Sequence, residues 1–378
     1  MKRIYKELLF IFIVVAIFFT VYWLRSVPTG MDSFYFMNYI YGITNTLPLT
    51  TSLATGVFSL IPANFNIIKI IMLVLTLCSA VIFSMTARLR FKKTGYLAGL
   101  FLLAFPFFSV IFARLEDDLF GLPFMLLAIY FATRYQVSDN KKKIWDKNIM
   151  LSIASLVIAV FLWRFTVYLI PIIFIMTKHF WYGLATASIL PFYSTLYQSI
   201  LPNLKVSENY PIYGLLILTL GFAYLKPSRI KENWVVVLVL SVLTVLNYKF
   251  IFLCVPFLIL NIIKYIENDT NAIKKCFIIY FTLFFVVACA VNLIALPNSN
   301  LDDLLTVGYT ESLDRNIEFN IQWGYGYYAI FKGYDTNQFG HAQDYKKSGI
   351  VLTYLNDKRI DDCDTIQKNR NAQLVYCE

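Results

Sequence analysis

Arg114-Leu115-Glu116-Asp117-Asp118 sets three consecutive acids between two almost wholly apolar runs, 96–112 and 119–130. A carboxylate at bilayer depth is costly unless it faces water, protein or a cation. The acids therefore predict a short turn at a membrane face. Their mutual repulsion is relieved by a divalent cation, and hard carboxylate oxygens suit Mg²⁺ or Mn²⁺. The alternative is that the acids only end two helices at the water interface.

Composition predicts the class of protein around this turn. Of the residues, 58% are hydrophobic and 15% charged, and many apolar runs approach the length that crosses about 30 Å of hydrocarbon. We therefore expect an all-α polytopic membrane protein with about eleven transmembrane helices. The predicted spans are 8–24, 67–85, 96–112, 119–135, 149–163, 165–177, 180–201, 212–225, 234–246, 250–263 and 276–296.

Lysine and arginine are concentrated in alternate loops between these runs. The positive-inside rule then predicts an integral protein of the cell (plasma) membrane, with a cytoplasmic N-terminus. The acidic turn and everything after residue 296 are expected outside. The formal charge of +10 has the same explanation, so membrane lipid is an expected partner and nucleic acid is not.

Two predicted hairpins, 149–177 and 234–263, are broken only by Arg164 and by 247–249. Their arms are shorter than a full membrane crossing. We therefore expect Arg164 and Lys249 to lie below the outer surface, where a cation is a good partner for a lipid phosphate. The alternative is that both side chains extend to the interface.

Two domains are predicted: residues 1–296, with a long first outer loop at 25–66, and residues 297–378, a small extracytoplasmic α/β domain richer in acids than in bases. Asp32 is the one acid of the first loop and precedes an aromatic-rich stretch, 33–41, expected to be a helix. As a helix cap, Asp32 would need no metal. Cys363 and Cys377 are expected to form a disulfide in the outer domain.

Five short segments, in order and on one predicted side, resemble motifs of the catalytic subunit of oligosaccharyltransferase. This family belongs to the GT-C superfamily of membrane glycosyltransferases that use polyprenyl-phosphate sugar donors. The segments are Asp32 for the first-loop aspartate, Glu116-Asp117-Asp118 with Pro123 for D-x-D and its proline, Lys205-Val206-Ser207-Glu208-Asn209-Tyr210-Pro211 for S-V-S-E-x-x-P, Tyr248-Lys249-Phe250 for N-R-F, and Gln322-Trp323-Gly324-Tyr325-Gly326-Tyr327 for W-W-D-Y-G-Y.

The resemblance implies a metal-dependent, inverting glycosyltransferase. It would move a sugar or oligosaccharide from a polyprenyl- or dolichyl-(pyro)phosphate donor to an acceptor, first of all a protein asparagine and otherwise a lipid. The implied roles are Mg²⁺ or Mn²⁺ binding by Asp32, Glu116 and Asp118, catalysis by Asp32 and Glu208, donor phosphate binding by Lys249 and Arg164, and acceptor binding by Trp323 and Tyr325.

Two other classes stay open. A GT-C monosaccharide transferase acting on a lipid or a cell-surface polymer would share Asp32, the acidic turn and the basic hairpins, but would need neither V-S-E nor W-W-D. Gly324, which stands where the family has the aspartate of W-W-D, favours this class. The other class is a non-enzymatic transporter or scaffold. It is disfavoured because no acid falls near the midplane of any predicted span.

Overall fold

The computed structural model describes part of the chain, in two compact units that consist of Met1–Leu24, Lys69–Phe112 and Asp117–Val291 (unit 1) and of Arg25–Ile68, Ala113–Glu116 and Asn292–Glu378 (unit 2). The described residues are 2–23, 32–44, 52–105, 108, 111–112, 115–138, 146–177, 179, 181–188, 236–237, 240–241, 243–244, 250–268, 278–279, 282, 286, 299–334, 336–339, 349–355, 362–369 and 372–377.

The described elements are mainly helices, followed by a small sheet. The helices are α1 (Lys2–Trp23), α2 (Asp32–Ile40), α3 (Ser52–Ser59), α4 (Phe65–Arg88), α5 (Leu97–Ala104), α6 (Asp117–Val137), α7 (Lys147–Leu162), a 3₁₀ helix (Arg164–Tyr168), α8 (Leu169–Met176), α9 (Ile251–Asn268), α10 (Ser299–Arg315) and α11 (Trp323–Phe331). The strands are β1 (Phe319–Gln322), β2 (Asn337–Phe339), β3 (Gly349–Tyr354), β4 (Asp364–Lys368) and β5 (Ala372–Cys377).

The predicted architecture of about eleven spans is wrong. Within the described ranges, one helix, α4, is long and apolar enough to cross a membrane. The same finding contradicts the prediction of an integral multi-span protein of the plasma membrane. The assignment of loops to the inside and the outside depended on that prediction and is wrong with it. The run 212–225 and most of 180–201, 234–246 and 276–296 lie outside the described residues.

The physical reason for this error is that several apolar runs form shorter elements. Only 8 residues of the run 96–112 belong to α5, which ends at an extended Phe105. The run 149–177 is divided between a 16-residue helix that begins at Lys147, a 3₁₀ helix and an 8-residue helix. Eight helical residues extend only about 12 Å, well short of a hydrocarbon core.

Close helix packing holds unit 1 together. A Cβ at Gly121 in α6 would lie 2.4 Å from Cβ of Trp163, and a Cβ at Gly99 in α5 would lie 2.3 Å from the carbonyl oxygen of Ala80 in α4. The Ser152 hydroxyl of α7 donates to the buried carbonyl of Ala128 in α6 at 2.7 Å. Small residues therefore let these helix backbones approach each other closely.

Unit 2 contains a five-stranded sheet in the order β2-β1-β3-β5-β4. Strand β1 is parallel to β2 and β3, with Asn320 beside Asn337 and Val351, and β5 is antiparallel to β3 and β4. One face of the sheet packs against α10 and α11 around a core that includes Phe319, Leu352 and Leu374. On the other face, Cys363 and Cys377 form a disulfide beside Val351 and Val375.

Candidate functional site

Helix α2 brings the first-loop segment into the core of unit 2. The predicted helical stretch 33–41 corresponds to Asp32–Ile40, so Asp32 is the first residue of the helix. Phe34 is fully buried, and its ring centre lies 4.8 Å from that of Tyr328 and 5.4 Å from that of Phe331 in α11. The first-loop aspartate is therefore carried on a helix that is anchored to α11.

One hydrogen bond joins this helix to the acidic turn. The backbone N–H of Leu115 donates to Oγ of Ser33 at 3.0 Å, although the two residues are 82 positions apart. Both residues are fully buried. Ser33 follows Asp32 in the chain and Leu115 precedes Glu116, so the bond joins the chain neighbours of two predicted metal ligands.

The predicted turn of three acids is only partly non-helical, because two of the acids belong to α6. Leu115 and Glu116 are not helical, and α6 begins at Asp117. Asp117 and Asp118 occupy the first turn of α6, where the helix dipole stabilises negative charge. Asp118 is 8% exposed and belongs to unit 1. The arrangement fits both interpretations of the acids, as metal ligands and as the start of a helix.

The segment that resembles W-W-D-Y-G-Y forms the start of α11. Trp323 is its first residue, whereas the side chain of Tyr325 is 6% exposed and packs in the core of unit 2. Nδ2 of Asn38 donates to the carbonyl of Tyr327 at 2.9 Å, which fixes α2 on α11. The predicted acceptor contact of Tyr325 is therefore not exposed in this structure, and Trp323 remains the candidate.

An aromatic cluster in unit 1 contains chain neighbours of the two predicted phosphate-binding residues. The 3₁₀ helix begins at Arg164, at the predicted break between two apolar runs. Phe250, which follows Lys249 in the chain, has its ring centre 5.0 Å from those of Phe165 and Tyr168. The buried side chains that neighbour the two predicted cations in the chain, Phe165 and Phe250, are thus in contact.

Several predicted site residues lie outside the described side chains. Glu208 and Lys249 are outside the described residues, and Asp32 and Trp323 are described only as helical backbone. Among the side chains that are described, no three His, Cys, Asp or Glu residues are grouped to hold a metal ion. That finding does not include the carboxylate of Asp32.

Sequence reasoning missed a polar network beside the α2–α11 contact. The hydroxyl of Tyr328 donates to Oδ1 of Asp302 in α10 at 2.6 Å, and Nζ of Lys332 lies 3.3 Å from Oδ2 of the same carboxylate. Burial, together with the hydrogen bond to Asp302 and its negative charge, raises the pKa of Tyr328. Ser33 was missed as well, because no local pattern marks a hydroxyl whose partner lies far along the chain.

Comparison with known proteins adds no family. No protein-family model matches the chain. No curated protein matches it in sequence either. The proposed function therefore rests on the local motifs and on the geometry of unit 2.

Proposed function

We propose that this chain is a glycosyltransferase that moves a sugar or oligosaccharide from a polyprenyl-(pyro)phosphate donor to an acceptor, with asparagine as the first candidate. The observation that carries the proposal is the hydrogen bond between Leu115 N–H and Ser33 Oγ. It supports a shared role for Asp32 and Glu116, because Asp32 precedes Ser33 and Glu116 follows Leu115 in the chain. Asp118 is two residues beyond Glu116.

A carboxylate set of this kind fits a divalent cation, because Mg²⁺ and Mn²⁺ prefer hard oxygen ligands. Asp32, Glu116 and Asp118 would hold the ion. When bound, it would act as a Lewis acid for the negative charge that develops on the departing phosphate. No proton donor is then needed at the leaving oxygen.

Two cationic side chains would bind the phosphate of the donor. Arg164 and Lys249 would donate hydrogen bonds to the outer phosphate oxygens, and such charge-assisted bonds are the stronger kind. The packing of Phe250 against Phe165 supports placing these two cations together. A single displacement at the anomeric carbon would break its bond to the phosphate oxygen, so the configuration there would invert.

Asp32 and Glu208 would activate the acceptor amide. An amide nitrogen is a poor nucleophile because its lone pair is delocalised into the carbonyl. Carboxylates that accept hydrogen bonds from its two N–H groups would twist the amide and free the lone pair. The nitrogen would then bond to the anomeric carbon, and its proton would pass to a carboxylate. Trp323 would contact the acceptor.

The first test is transfer from a polyprenyl-linked glycan to an Asn-x-Thr peptide and to lipid acceptors. Asp118→Asn should lower the rate by a factor on the order of 10² to 10³ with every acceptor, because it weakens metal-dependent charge stabilisation. Asp117→Asn is the matched control, since it makes the same charge change one residue away. An equal loss in both variants would assign the acids to helix stability alone.

A second variant separates acceptor chemistry from donor chemistry. Glu208→Gln should suppress transfer to the peptide by a similar factor while donor-lipid binding persists. Peptide transfer that is indifferent to Glu208→Gln would remove the role given to Glu208. Transfer to lipid acceptors alone would favour a monosaccharide transferase, the class that Gly324 suggests. The absence of transfer from any polyprenyl-linked donor would reject the proposal.

Ser33→Ala tests the observation that carries the proposal. The variant leaves the buried N–H of Leu115 without its acceptor, at a cost of about 1 to 3 kcal/mol. We expect faster amide hydrogen exchange at 115–116 and weaker Mn²⁺ binding. Ser59→Ala is the control, because the Ser59 hydroxyl donates to the exposed carbonyl of Gly56 in its own helix. Unchanged Mn²⁺ affinity in Ser33→Ala would separate this bond from metal binding.

A further inference from the structure

Contacts within unit 1 gather several helix ends at one end of its helix bundle. The guanidinium of Arg90, just after α4, donates to Oε1 of Gln136 near the end of α6, and the amide of Gln136 donates to the last carbonyl of α8, that of Met176. The hydroxyl of Thr94 donates to Oε2 of Glu267 near the end of α9 at 2.5 Å.

Two more elements reach the same end. Arg88, the last residue of α4, forms an ion pair with Glu7 of α1 at 2.5 Å. The hydroxyl of Tyr135 lies 3.5 Å from Nε2 of His179. Asp146, whose charge acts on Tyr135, caps α7 by accepting from the N–H of Asn148. Helix α7 thus starts where α4, α6, α8 and α9 finish.

The exposed charges that the structure describes at this end have one sign. Glu7 is buried, and Asp146 and Glu267 are half-buried, whereas the exposed charged side chains that the structure describes here are all basic. They are Lys92, Lys93, Arg134 and Lys147, which together are called the basic end below. A group of exposed cations beside which the described acids are buried or half-buried favours a polyanionic partner.

Large apolar and aromatic side chains flank the basic end. Tyr5 is 67% exposed and lies two residues before Glu7, and Trp181 is 77% exposed and lies two residues after His179. Tyr182, whose N–H donates to the carbonyl of His179, is also exposed. Tyrosine and tryptophan suit the headgroup level of a bilayer because one part of each ring is apolar and another donates hydrogen bonds.

We propose that the basic end of unit 1 binds the surface of an anionic lipid bilayer. The cations would meet the lipid phosphates and carboxylates, while Tyr5, Trp181 and Tyr182 would enter the interface. Nucleic acid is the weaker candidate, because a polyanion in water offers nothing to cover the exposed aliphatic side chains beside the cations, those of Val137 and Met150. This surface contact requires no membrane-spanning helix and is independent of the proposed transferase activity.

The test is vesicle binding by the full chain. Affinity for phosphatidylcholine vesicles that contain phosphatidylserine should exceed affinity for pure phosphatidylcholine, and high salt should reduce the difference. Each cation near an anionic surface contributes a factor of about five in affinity, so Lys92→Gln/Lys93→Gln should bind about 25-fold more weakly. Arg315→Gln/Lys368→Gln is the matched control. It removes the same charge from exposed residues of unit 2, and its affinity should change less than about twofold.

A further variant tests the aromatic part of the surface. Trp181→Ser should weaken binding that persists at high salt, where the cations are screened. Equal binding to both kinds of vesicle would overturn the proposal, and so would equal losses in the two double variants. Binding to double-stranded DNA that depends on Lys92 and Lys93, without binding to anionic vesicles, would assign the basic end to nucleic acid instead.

Discussion

At the scale of single residues, two helical glycines of unit 2 meet opposite surroundings. A Cβ at Gly308 in α10 would lie 2.6 Å from Cζ of Phe319 and 2.8 Å from Cδ1 of Leu374, whereas a Cβ at Gly56 in α3 would meet nothing within 4 Å. The missing side chain at Gly308 thus permits the approach of α10 to the sheet. At Gly56 a side chain would meet no neighbour, so a substitution there changes stability through helix propensity.

Gly308→Ala should therefore lower the free energy of unfolding of unit 2 by about 1 to 3 kcal/mol, because the ring of Phe319 must shift. Gly56→Ala is the matched control and should raise it by up to about 1 kcal/mol, since alanine favours a helix. Urea titration followed by near-ultraviolet circular dichroism measures both. An unchanged midpoint in Gly308→Ala would contradict the close approach of α10 to the sheet.

Tyr328 predicts a pH dependence. Its pKa is raised in the folded state, by burial first and then by Asp302, so its stabilising contribution is complete below the unfolded value of about 10. As pH rises above that value, the unfolded chain loses the phenol proton first and stability falls. Tyr328→Phe should unfold more easily at neutral pH, by about 1.5 to 3 kcal/mol, and should lose less stability above pH 10. Tyr5→Phe, at an exposed ring, is the control.

At the scale of elements, the described part of the chain shows what local patterns predict well. The predicted run 67–85 lies within α4, because a long apolar run without breakers has few alternatives to a helix. The run 96–112 was misread although Pro106 stands inside it. Phe105, with φ −74° and ψ 121°, has the extended conformation that a following proline imposes, and α5 ends there.

Contacts between distant segments could not be predicted in this way. The aromatic stretch after Asp32 predicted a helix, but nothing local states that Phe34 packs on α11 or that Ser33 accepts from Leu115. Hydropathy likewise reports only how apolar a run is. A helix buried among other helices can be as apolar as a membrane-spanning helix, so hydropathy alone does not distinguish them. The helices and strands were therefore more predictable from the sequence than the contacts between them.

The β4–β5 hairpin carries a stability prediction. The disulfide joins Cys363, just before β4, to Cys377, the last residue of β5, across a sequence separation of 14. Closing a loop of this length stabilises by about 3 kcal/mol. Cys363→Ser should therefore lower the melting temperature of unit 2, and reductant should have no further effect on the variant. Cys78→Ser, at a free exposed cysteine, is the control. Two free thiols in non-reduced peptides would contradict the bond.

At the scale of the whole molecule, the division into two units predicts two unfolding transitions in calorimetry. Gly121→Ala would force a Cβ to 2.4 Å from that of Trp163 and should lower the transition of unit 1. Gly308→Ala should lower only that of unit 2. A single transition that both variants shift equally would show that the units unfold as one cooperative body.

The anchoring of α2 on α11 also has a consequence for biosynthesis. Asn38 and Tyr327 are 289 residues apart, so the core around Phe34 cannot close until α11 has left the ribosome. At 5 to 20 residues per second, that delay is roughly 15 to 60 s. During this interval the aromatic face of α2 lacks its native cover. The nascent chain therefore needs a chaperone or another temporary shield for residues 34–41, and truncation before α11 should make the product aggregate.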